Sequence, residues 1–453
     1  MKMNSRSVLL HTSLAATLAL VPLAGCNSDS ASSNAAKQLA ALQAQQAKNA
    51  GNFSNTVFLG DSLTAGFQSG SLLDTTQVHG WAPVLAAQAG FNIVQPLIAY
   101  PGAPNVLQLE SLGPPPVITS APGTTTGRDN FATQVTDLAV PGALLNDVMN
   151  TVPLVNPAPG QQQLNQLVLG FPGLGYGQAN SQATFAVNAQ PTTIFLWIGN
   201  NDALVADETG MPSSMTSVAT FTSQYQALIT ELTTKAPAHL VIGNIPDVTR
   251  VPYLTPAALV LGEVSAETGL PTAELSAILG IVPGDLVNPT GTAEIPLILG
   301  GLQKGPISDA GVLSAAEVVT VQSQVTAFNQ VIAAQAKAAN ATLVDINALF
   351  NQAFTNGVTI NGYTGTSSFL GGIFALDGIH PTNVGYAVVA NALIDTMNAT
   401  ISTKIPDVPL GPVAATDPYW PPNLATQIAP AARPRTIPAN AGKAIAPILE
   451  KKQ

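Results

Sequence analysis

A Gly-Asp-Ser-Leu motif at residues 60–63 places the hydroxyl of Ser62 where it could act as a nucleophile. The apolar run Val57–Leu59 before it predicts a buried strand that ends at Gly60. Ser62 would then lie in the turn between that strand and a helix, at the sheet edge where open α/β folds bind ligands. Backbone N–H groups at the start of the helix can stabilise a developing negative charge. Asp and Ser are also common turn and N-cap residues, so the motif alone does not establish a catalytic site.

Three later turns carry the other groups that acyl transfer needs. Residues 138–143 contain Gly142, residues 199–202 read Gly-Asn-Asn-Asp and include Asn201, and residues 377–380 read Asp-Gly-Ile-His. Acyl transfer requires a nucleophile, donors to an oxyanion, and a base that a carboxylate holds in one tautomer. Turns that leave a parallel sheet at its carboxyl edge open on the same side. The sequence therefore predicts that these four turns surround one hollow.

The histidine content narrows the choice of a base, because the chain contains only four histidines. The first, His11, belongs to an N-terminal segment that we expect to be removed. His79 precedes a helix, where capping or packing is the expected role, and His239 begins an apparent strand as a partly exposed structural residue. His380 has Asp377 three residues upstream, close enough to reach the imidazole Nδ1. We therefore predict that His380 is the base.

Short apolar runs predict the strands that must position these turns. Five such runs read as buried parallel strands, at Val57–Gly60, Val135–Val140, Thr193–Ile198, Leu240–Gly243 and Thr342–Ile346. Helical patterns lie between and after them, at Trp81–Ala89, Ser217–Thr234, Ser314–Ala339 and from Asn383 to about 401. This alternation predicts a flavodoxin-like, three-layer α/β/α sandwich with a five-stranded, mostly parallel sheet.

The rest of the chain suggests additions to this domain. We expect residues 53–401 to form the domain, with an insertion at about 251–312 that contains apolar pieces at Pro256–Glu263 and Thr272–Leu279. Segments of this length in a compact domain are usually functional or mobile. Two interpretations stay open: a lid or acyl pocket, and a structural subdomain that widens the core. Residues 402–453 are Pro-rich and predict a partly ordered tail.

The N-terminus is typical of an exported protein. Lys2 and Arg6 precede an apolar segment at residues 8–23, as in a secretory signal. This segment is shorter than the ~20 apolar residues that cross a bilayer. The sequence Leu-Ala-Gly-Cys that ends at Cys26 resembles the lipobox of bacterial lipoproteins. The resemblance implies that residues 1–25 are a signal peptide and that Cys26 becomes an acylated N-terminus.

Acyl chains on Cys26 would anchor the protein to a membrane. Residues 26–52 are rich in Ser, Ala, Gln and Asn and predict a flexible tether with transient helix near Lys37–Lys48. Asn27 rather than Asp follows the cysteine, which favours the outer membrane. Cys26 is the only cysteine, so the chain can form no intrachain disulfide and no cysteine metal cluster.

Composition excludes other classes of function. The chain has a formal net charge of −10, with 9% charged and 46% hydrophobic residues, which supports a large core. Only five cationic side chains lie between the tether and residue 400, namely Arg128, Lys235, Arg250, Lys304 and Lys337. A surface so poor in cations neutralises few phosphates, so we expect no nucleic-acid partner.

The four blocks together resemble those of the GDSL, or SGNH, hydrolases. Gly-Asp-Ser-Leu at 60–63, Gly142, Gly-x-Asn-Asp at 199–202 and Asp-x-x-His at 377–380 occur in the family's order, and the resemblance covers about residues 54–400. It implies that Ser62 is the nucleophile, His380 the base and Asp377 the residue that orients it. It also implies an oxyanion hole of the Ser62 and Gly142 N–H groups and the Asn201 side-chain amide. Asn244-Ile-Pro246 resembles the remaining block, to which we assign no chemistry.

Other hydrolytic machinery is absent from the sequence. It contains no Gly-x-Ser-x-Gly, His-Glu-x-x-His or Gly-x-x-x-x-Gly-Lys motif, so we expect no metal and no cofactor. The sequence predicts a serine esterase or lipase acting on lipid or short-to-medium acyl esters. Two alternatives stay open: a carbohydrate acetylesterase on the same fold, and a surface lipoprotein that binds without turnover.

Overall fold

The structure is a computed structural model that describes residues 28–113, 116–125, 127–129, 133–170, 180–425 and 437. The predicted signal peptide and Cys26 lie outside these residues. The chain divides into two compact units, residues 1–41 and 42–453. No helix in the described ranges is long and apolar enough to cross a lipid bilayer.

The described strands share short lengths of two to five residues. They are, in chain order, β1 Thr56–Gly60, β2 Leu107–Ser111, β3 Val117–Ser120, β4 Thr193–Trp197, β5 His239–Gly243, β6 Thr255–Pro256, β7 Leu286–Val287, β8 Val312–Leu313, β9 Thr342–Val344, β10 Val358–Ile360 and β11 Tyr363–Gly365.

The described helices range from single turns to 24 residues. They are, in chain order, α1 Ser28–Lys48, α2 Ser62–Ala65, α3 Asp74–Gln77, α4 Trp81–Ala89, α5 Leu145–Asn150, α6 Gln161–Leu169, α7 Gln182–Ala189, α8 Asn200–Thr209, α9 Val218–Lys235, α10 Ala257–Thr268, α11 Thr272–Leu279, α12 Pro289–Leu299, α13 Ala315–Ala338, α14 Ile346–Asn356, α15 Asn383–Thr400, α16 Leu410–Thr416 and α17 Pro421–Ala425.

A parallel sheet lies at the centre of the larger unit, with strand order β1-β4-β5-β9. Its strands are mostly apolar because both faces are covered. On one face Leu59 and Leu196 pack with residues of α5, α7, α9 and α13. On the other, Phe58 and Phe195 stack with ring centroids 4.9 Å apart and pack with residues of α4 and α15. The predicted three-layer α/β/α architecture is confirmed.

The predicted count of five strands is wrong, since the sheet has four strands within the part of the chain that the structure describes. Segment 135–140 runs along β1 and makes one parallel bridge, between Asp137 and Phe58. Its ladder breaks beside Gly60, whose N–H donates to Oε1 of Gln182 at 3.0 Å instead of to a neighbouring strand. Gln182 also donates back to the Gly60 carbonyl. A side-chain amide thus replaces part of the fifth strand.

The predicted helices match α4, α9, α13 and α15 to within a residue or two at each end. The end of the last sheet strand differs by two residues. The run Thr342–Ile346 forms a strand only to Val344, because Asp345 accepts a hydrogen bond from the Ala348 N–H and starts α14. Helix α14 was not among the sequence predictions.

The insertion at about 251–312 folds into a subdomain. It contains α10, α11, α12 and a small antiparallel sheet of β6, β7 and β8. These elements enclose an apolar core of their own, in which Leu275, Leu279 and Val287 are fully buried.

The predicted tether lies mostly within the described residues. The expected flexible tether at 26–52 is helical over Ser28–Lys48, because an Ala/Gln-rich segment has high helix propensity. Within the larger unit, the Gln46 amide donates to the Thr233 carbonyl at 2.7 Å, and Asn49 donates to the Pro237 carbonyl.

The expected partly ordered tail is packed up to residue 425. Asp417 is buried and accepts a hydrogen bond from the Val384 N–H at 2.8 Å, near the start of α15. Trp420 is 3% exposed. Of the rest of the tail, only Ile437 lies among the described residues, and it is buried.

Replacing Gly60 by Ala should destabilise the protein. A Cβ at Gly60 would lie 2.5 Å from the Trp197 carbonyl oxygen, and a backbone oxygen in a sheet cannot move aside easily. We expect the free energy of unfolding to fall by about 1–3 kcal/mol, measured by urea denaturation. Gly262→Ala in α10 is the control, since its Cβ would meet no atom within 4 Å; this change should stabilise the protein slightly. Equal stability of Gly60→Ala and the wild type would contradict the close approach.

Candidate active site

Ser62 is held at the end of β1 by a tight turn. The neighbouring Asp61 caps α2, its Oδ1 accepting a hydrogen bond from the Leu63 N–H at 3.0 Å. The helix lasts one turn and ends at Gly66, whose φ of +74° is in the left-handed region that glycine adopts without strain. Ser62 is 5% exposed. A short capped helix therefore fixes the direction of the Ser62 hydroxyl.

The structure brings His380 and Asp377 to Ser62. Nε2 of His380 lies 2.7 Å from Oγ of Ser62, and Nδ1 lies 3.0 Å from Oδ2 of Asp377. These distances are those of hydrogen bonds. The ring of Phe67 lies against the imidazole, with centroids 4.7 Å apart. Hydroxyl, imidazole and carboxylate thus form a hydrogen-bonded chain, an arrangement that nucleophilic catalysis can use.

The Asp377 carboxylate is fully buried and accepts several hydrogen bonds. Oδ1 accepts from the Ile379 and His380 N–H groups, each at 2.9 Å, and Oδ2 accepts from the Gly70 N–H at 2.7 Å. Burial raises its pKa, but the charge of His380 and these donors outweigh burial, so the pKa of Asp377 lies below its ordinary value. The carboxylate therefore stays ionised beside the imidazole.

Gly142 and Asn201, the other predicted oxyanion residues, lie beside the same turn. The Val140 N–H donates to the Gly60 carbonyl at 3.2 Å, so Gly142 and Ser62 each lie two residues beyond this pair. The Asn201 Nδ2 donates to the Ala143 carbonyl at 2.9 Å, and its second hydrogen remains for a ligand. Within the described ranges, the N–H groups of Ser62 and Gly142 donate to no protein acceptor.

Asp202 joins the turns of Gly142 and Asn201. Its Oδ2 accepts from the Leu145 N–H at 2.8 Å, and its Oδ1 accepts from the Thr216 hydroxyl at 2.6 Å. Burial raises the pKa of Asp202 to about 6. Asp202, the aspartate of the Gly-x-Asn-Asp block, therefore holds neighbouring segments of the site together.

A contact between Asp61 and Asn200 was not predicted from the sequence. Nδ2 of Asn200 donates to Oδ2 of Asp61 at 2.8 Å, and both side chains are buried. The contact links the turn of Ser62 to the first residue of α8. Burial raises the pKa of Asp61 to about 6, although Asn200 and the Leu63 N–H oppose this rise. In the sequence, the only indication of this contact is that an amide residue, Asn200, precedes Asn201. Nothing in the sequence indicates that the Gly70 N–H donates to Asp377.

The other histidines in the described ranges lie elsewhere. His239 is 5% exposed, more buried than predicted, and its Nε2 lies 2.9 Å from Oγ1 of Thr342. Burial lowers the pKa of His239. His79 is exposed, just before α4. Neither histidine hydrogen-bonds to Ser62. His11 lies outside the described residues.

A cavity opens beside Ser62, with Asn200 and Asn201 in its wall and apolar side chains over the rest. Pro246 of the Asn-Ile-Pro block lies in this wall, while Asn244 binds the start of α14. None of the lining residues comes from 252–312. In the described ranges, no group of three or more His, Cys, Asp or Glu side chains is arranged to hold a metal ion.

Sequence comparison identifies the family. The model of the GDSL-like Lipase/Acylhydrolase family matches residues 56–393, most of the chain. The chain belongs to this family. The resemblance found in the motifs is confirmed, and the protein is a GDSL-type ester hydrolase. No curated protein matches the sequence of this GDSL hydrolase significantly.

Solved structures similar to this GDSL hydrolase share little sequence with it. An acetyl-xylooligosaccharide esterase variant from Geobacillus is 10% identical, covers 78% of this chain and 95% of its own, and has a TM-score of 0.35. An α/β hydrolase from the metagenome of Lake Arreo is 13% identical, with 77% and 96% covered and a TM-score of 0.34. Phospholipase A1 from Streptomyces albidoflavus is 14% identical, with 77% and 99% covered and a TM-score of 0.32.

The raised pKa of Asp61 predicts a pH-dependent difference in stability between the wild type and Asp61→Asn. Between the ordinary value of 3.8 and about 6, Asp61 is ionised in the unfolded chain but protonated in the fold. The unfolded state then binds fewer protons, so the wild type loses stability as pH rises through this range. Asn does not titrate and keeps an acceptor for the cap.

We therefore expect the free energy of unfolding of the wild type minus that of Asp61→Asn to fall by up to about 3 kcal/mol across this range. Urea denaturation at several pH values between about 4 and 7 measures it. A difference that does not change with pH would show that Asp61 has an ordinary pKa in the fold.

Proposed function

We propose that this GDSL hydrolase cleaves carboxylic esters, lipid or short-to-medium acyl esters, through an acyl-enzyme on Ser62. The observation that supports this most directly is the 2.7 Å contact of Ser62 Oγ with His380 Nε2, together with the 3.0 Å contact of His380 Nδ1 with Asp377. Both sides of the imidazole are thereby occupied in the way a general base requires.

In the first half of the reaction, His380 Nε2 takes the hydroxyl proton of Ser62 as Oγ attacks the ester carbonyl carbon. The carbonyl oxygen becomes an oxyanion, which accepts hydrogen bonds from the Ser62 and Gly142 N–H groups and from Asn201. Each such donor is worth about 2.7–4 kcal/mol. The tetrahedral adduct collapses, the C–O bond to the alcohol breaks, and the alcohol leaves with the proton from His380.

In the second half, water replaces the alcohol. His380 takes a proton from the water as its oxygen attacks the acyl carbon, and the same donors hold the second oxyanion. The bond to Ser62 Oγ then breaks, and Oγ recovers the proton from His380. Asp377 keeps one imidazole orientation throughout and stabilises the imidazolium while it exists.

Removing the nucleophile tests this mechanism. Ser62→Ala should reduce kcat for p-nitrophenyl butyrate by at least a thousandfold, and should abolish labelling by a fluorophosphonate, because no hydroxyl remains to attack. Ser54→Ala, an exposed serine at the start of the domain, is the control and should keep full activity. Full esterase activity in purified Ser62→Ala would overturn the assignment, and a wild type that neither hydrolyses esters nor reacts with the fluorophosphonate would favour a binding lipoprotein.

We also propose that the protein is an exported lipoprotein held at a bacterial membrane, most favourably the outer membrane, through acylated Cys26. The support is the charged start, the short apolar segment and the Leu-Ala-Gly-Cys sequence. Expressed in a bacterial host, the wild type should fractionate with membranes, and Cys26→Ser should not. A mature N-terminal peptide with unmodified Cys26, found by mass spectrometry, would refute the proposal.

A further inference from the structure

Helix α14 presents one apolar stripe to the cavity beside Ser62. Ile346, Leu349, Phe350 and Ala353 all line the cavity, and their spacing of three, one and three residues places them on one face of the helix. Ala348, on the same helix, is exposed and is not part of the lining. The helix therefore has a cavity face and a solvent face.

The start of α14 is held firmly. The Asn244 side chain accepts a hydrogen bond from the Asn347 N–H at 2.8 Å and donates to Asp345 at 2.8 Å. Asn347 donates in turn to the Ile245 carbonyl at 2.9 Å. The Asn-Ile-Pro block at residues 244–246 thus holds the start of α14 in place. A rigid wall can discriminate between ligands by length better than a mobile one.

Other segments also contribute to the wall. Val388 and Val389 of α15 line the cavity, and so does Phe374, whose ring meets that of Phe350 edge to face at a centroid distance of 5.7 Å. Trp197 contributes its ring, and its indole N–H is already bonded to the Asn244 carbonyl at 3.0 Å. These side chains leave no unpaired donor for a polar ligand.

Among the described residues, the polar side chains in the lining besides the bonded Trp197 are those of Ser62, Asn200 and Asn201. No Asp, Glu, Lys or Arg of the described residues lines the cavity. A charged group inside would be desolvated without a partner, which costs several kcal/mol. The chemistry of the wall therefore selects an uncharged hydrocarbon whose polar end lies at Ser62.

We propose that the cavity binds the acyl chain of the ester, and that the stripe on α14 sets the chain length the enzyme accepts. The inference rests on the proposed function and names its substrate class: neutral esters with an extended alkanoyl chain. The acyl part stays bonded to Ser62 after the alcohol leaves, and Ser62 and Asn201 both line the cavity.

Burial of the chain predicts the size of the effect. Each methylene moved from water into an apolar wall gains about 0.8 kcal/mol, or about fourfold in kcat/KM. The rise should stop where the chain reaches the end of the cavity. Because none of the lining residues comes from 252–312, the insertion does not set this limit.

Narrowing the cavity from α14 tests the proposal. Ala353→Phe should reduce kcat/KM for p-nitrophenyl octanoate by at least tenfold relative to p-nitrophenyl acetate, because the added ring occupies the space of several methylenes. Ala348→Phe adds the same ring to the exposed face of α14 and should leave the ratio within about twofold of the wild type. An unchanged ratio in folded Ala353→Phe would overturn the proposal.

A pair of isomeric esters tests the orientation in the wild type alone. Ethyl octanoate and octyl acetate have the same formula, but the long chain is on the acyl side in the first and on the alcohol side in the second. We expect kcat/KM to be at least tenfold higher for ethyl octanoate. A preference for octyl acetate would assign the cavity to the alcohol and overturn the proposal, even if Ala353→Phe fails to fold.

Binding without turnover separates this inference from the proposed function. In Ser62→Ala, a bromooctanoyl ester should quench tryptophan fluorescence, because Trp197 lines the cavity, and Ala353→Phe should remove the quenching. Quenching of this kind with an inactive wild type would defeat the catalytic assignment and leave the cavity assignment intact. Ester hydrolysis by the wild type with no quenching in Ser62→Ala would overturn the cavity assignment and leave the catalytic assignment intact.

Discussion

A buried carboxylate that accepts four hydrogen bonds orients the imidazole next to Ser62. Asp377 receives two backbone N–H groups from its own turn, one from Gly70, and the Nδ1–H of His380. Burying a charge without partners is costly, and these four donors are what make the buried anion tolerable. Since Gly70 lies eight residues after Ser62, the same carboxylate also holds the segment that carries Ser62 against the segment that carries His380. The 2.7 Å contact between Ser62 and His380 depends on this arrangement.

Two further buried aspartates connect the remaining turns of the site. Asp61 binds Asn200 at the start of α8, and Asp202 binds the Leu145 N–H at the start of α5. These two contacts bond the turns of Ser62, Asn201 and Gly142 to one another through side chains that have no assigned chemical step. Preorganised donors act on a developing charge only if they do not have to move during the reaction. Burial raises the pKa of both aspartates, which indicates that this rigidity is obtained against a desolvation cost.

The apolar cavity and the polar turns meet at Ser62, Asn200 and Asn201. The turns come from the sheet edge, whereas much of the cavity wall comes from α14 and α15. Sheet and added helices therefore have separate roles, the first positioning reactive groups and the second shaping the space beside them. The insertion at 251–312, which the sequence left open as a lid or a subdomain, packs around its own core and contributes no residue beyond Val251 to the lining.

Local sequence patterns were sufficient to predict the family, the layered α/β architecture and the meeting of Ser62, Asp377 and His380. Apolar runs predict strands, the carboxyl ends of parallel strands share an edge, and the four blocks lie at those ends. The folded structure was needed to show that Gln182 replaces part of the fifth strand, that Asn200 binds Asp61 and that α14 faces the cavity. Each of these is a contact between segments that lie far apart in the chain or pack against different layers, and local composition carries no record of which partner a buried amide or an apolar stripe will meet.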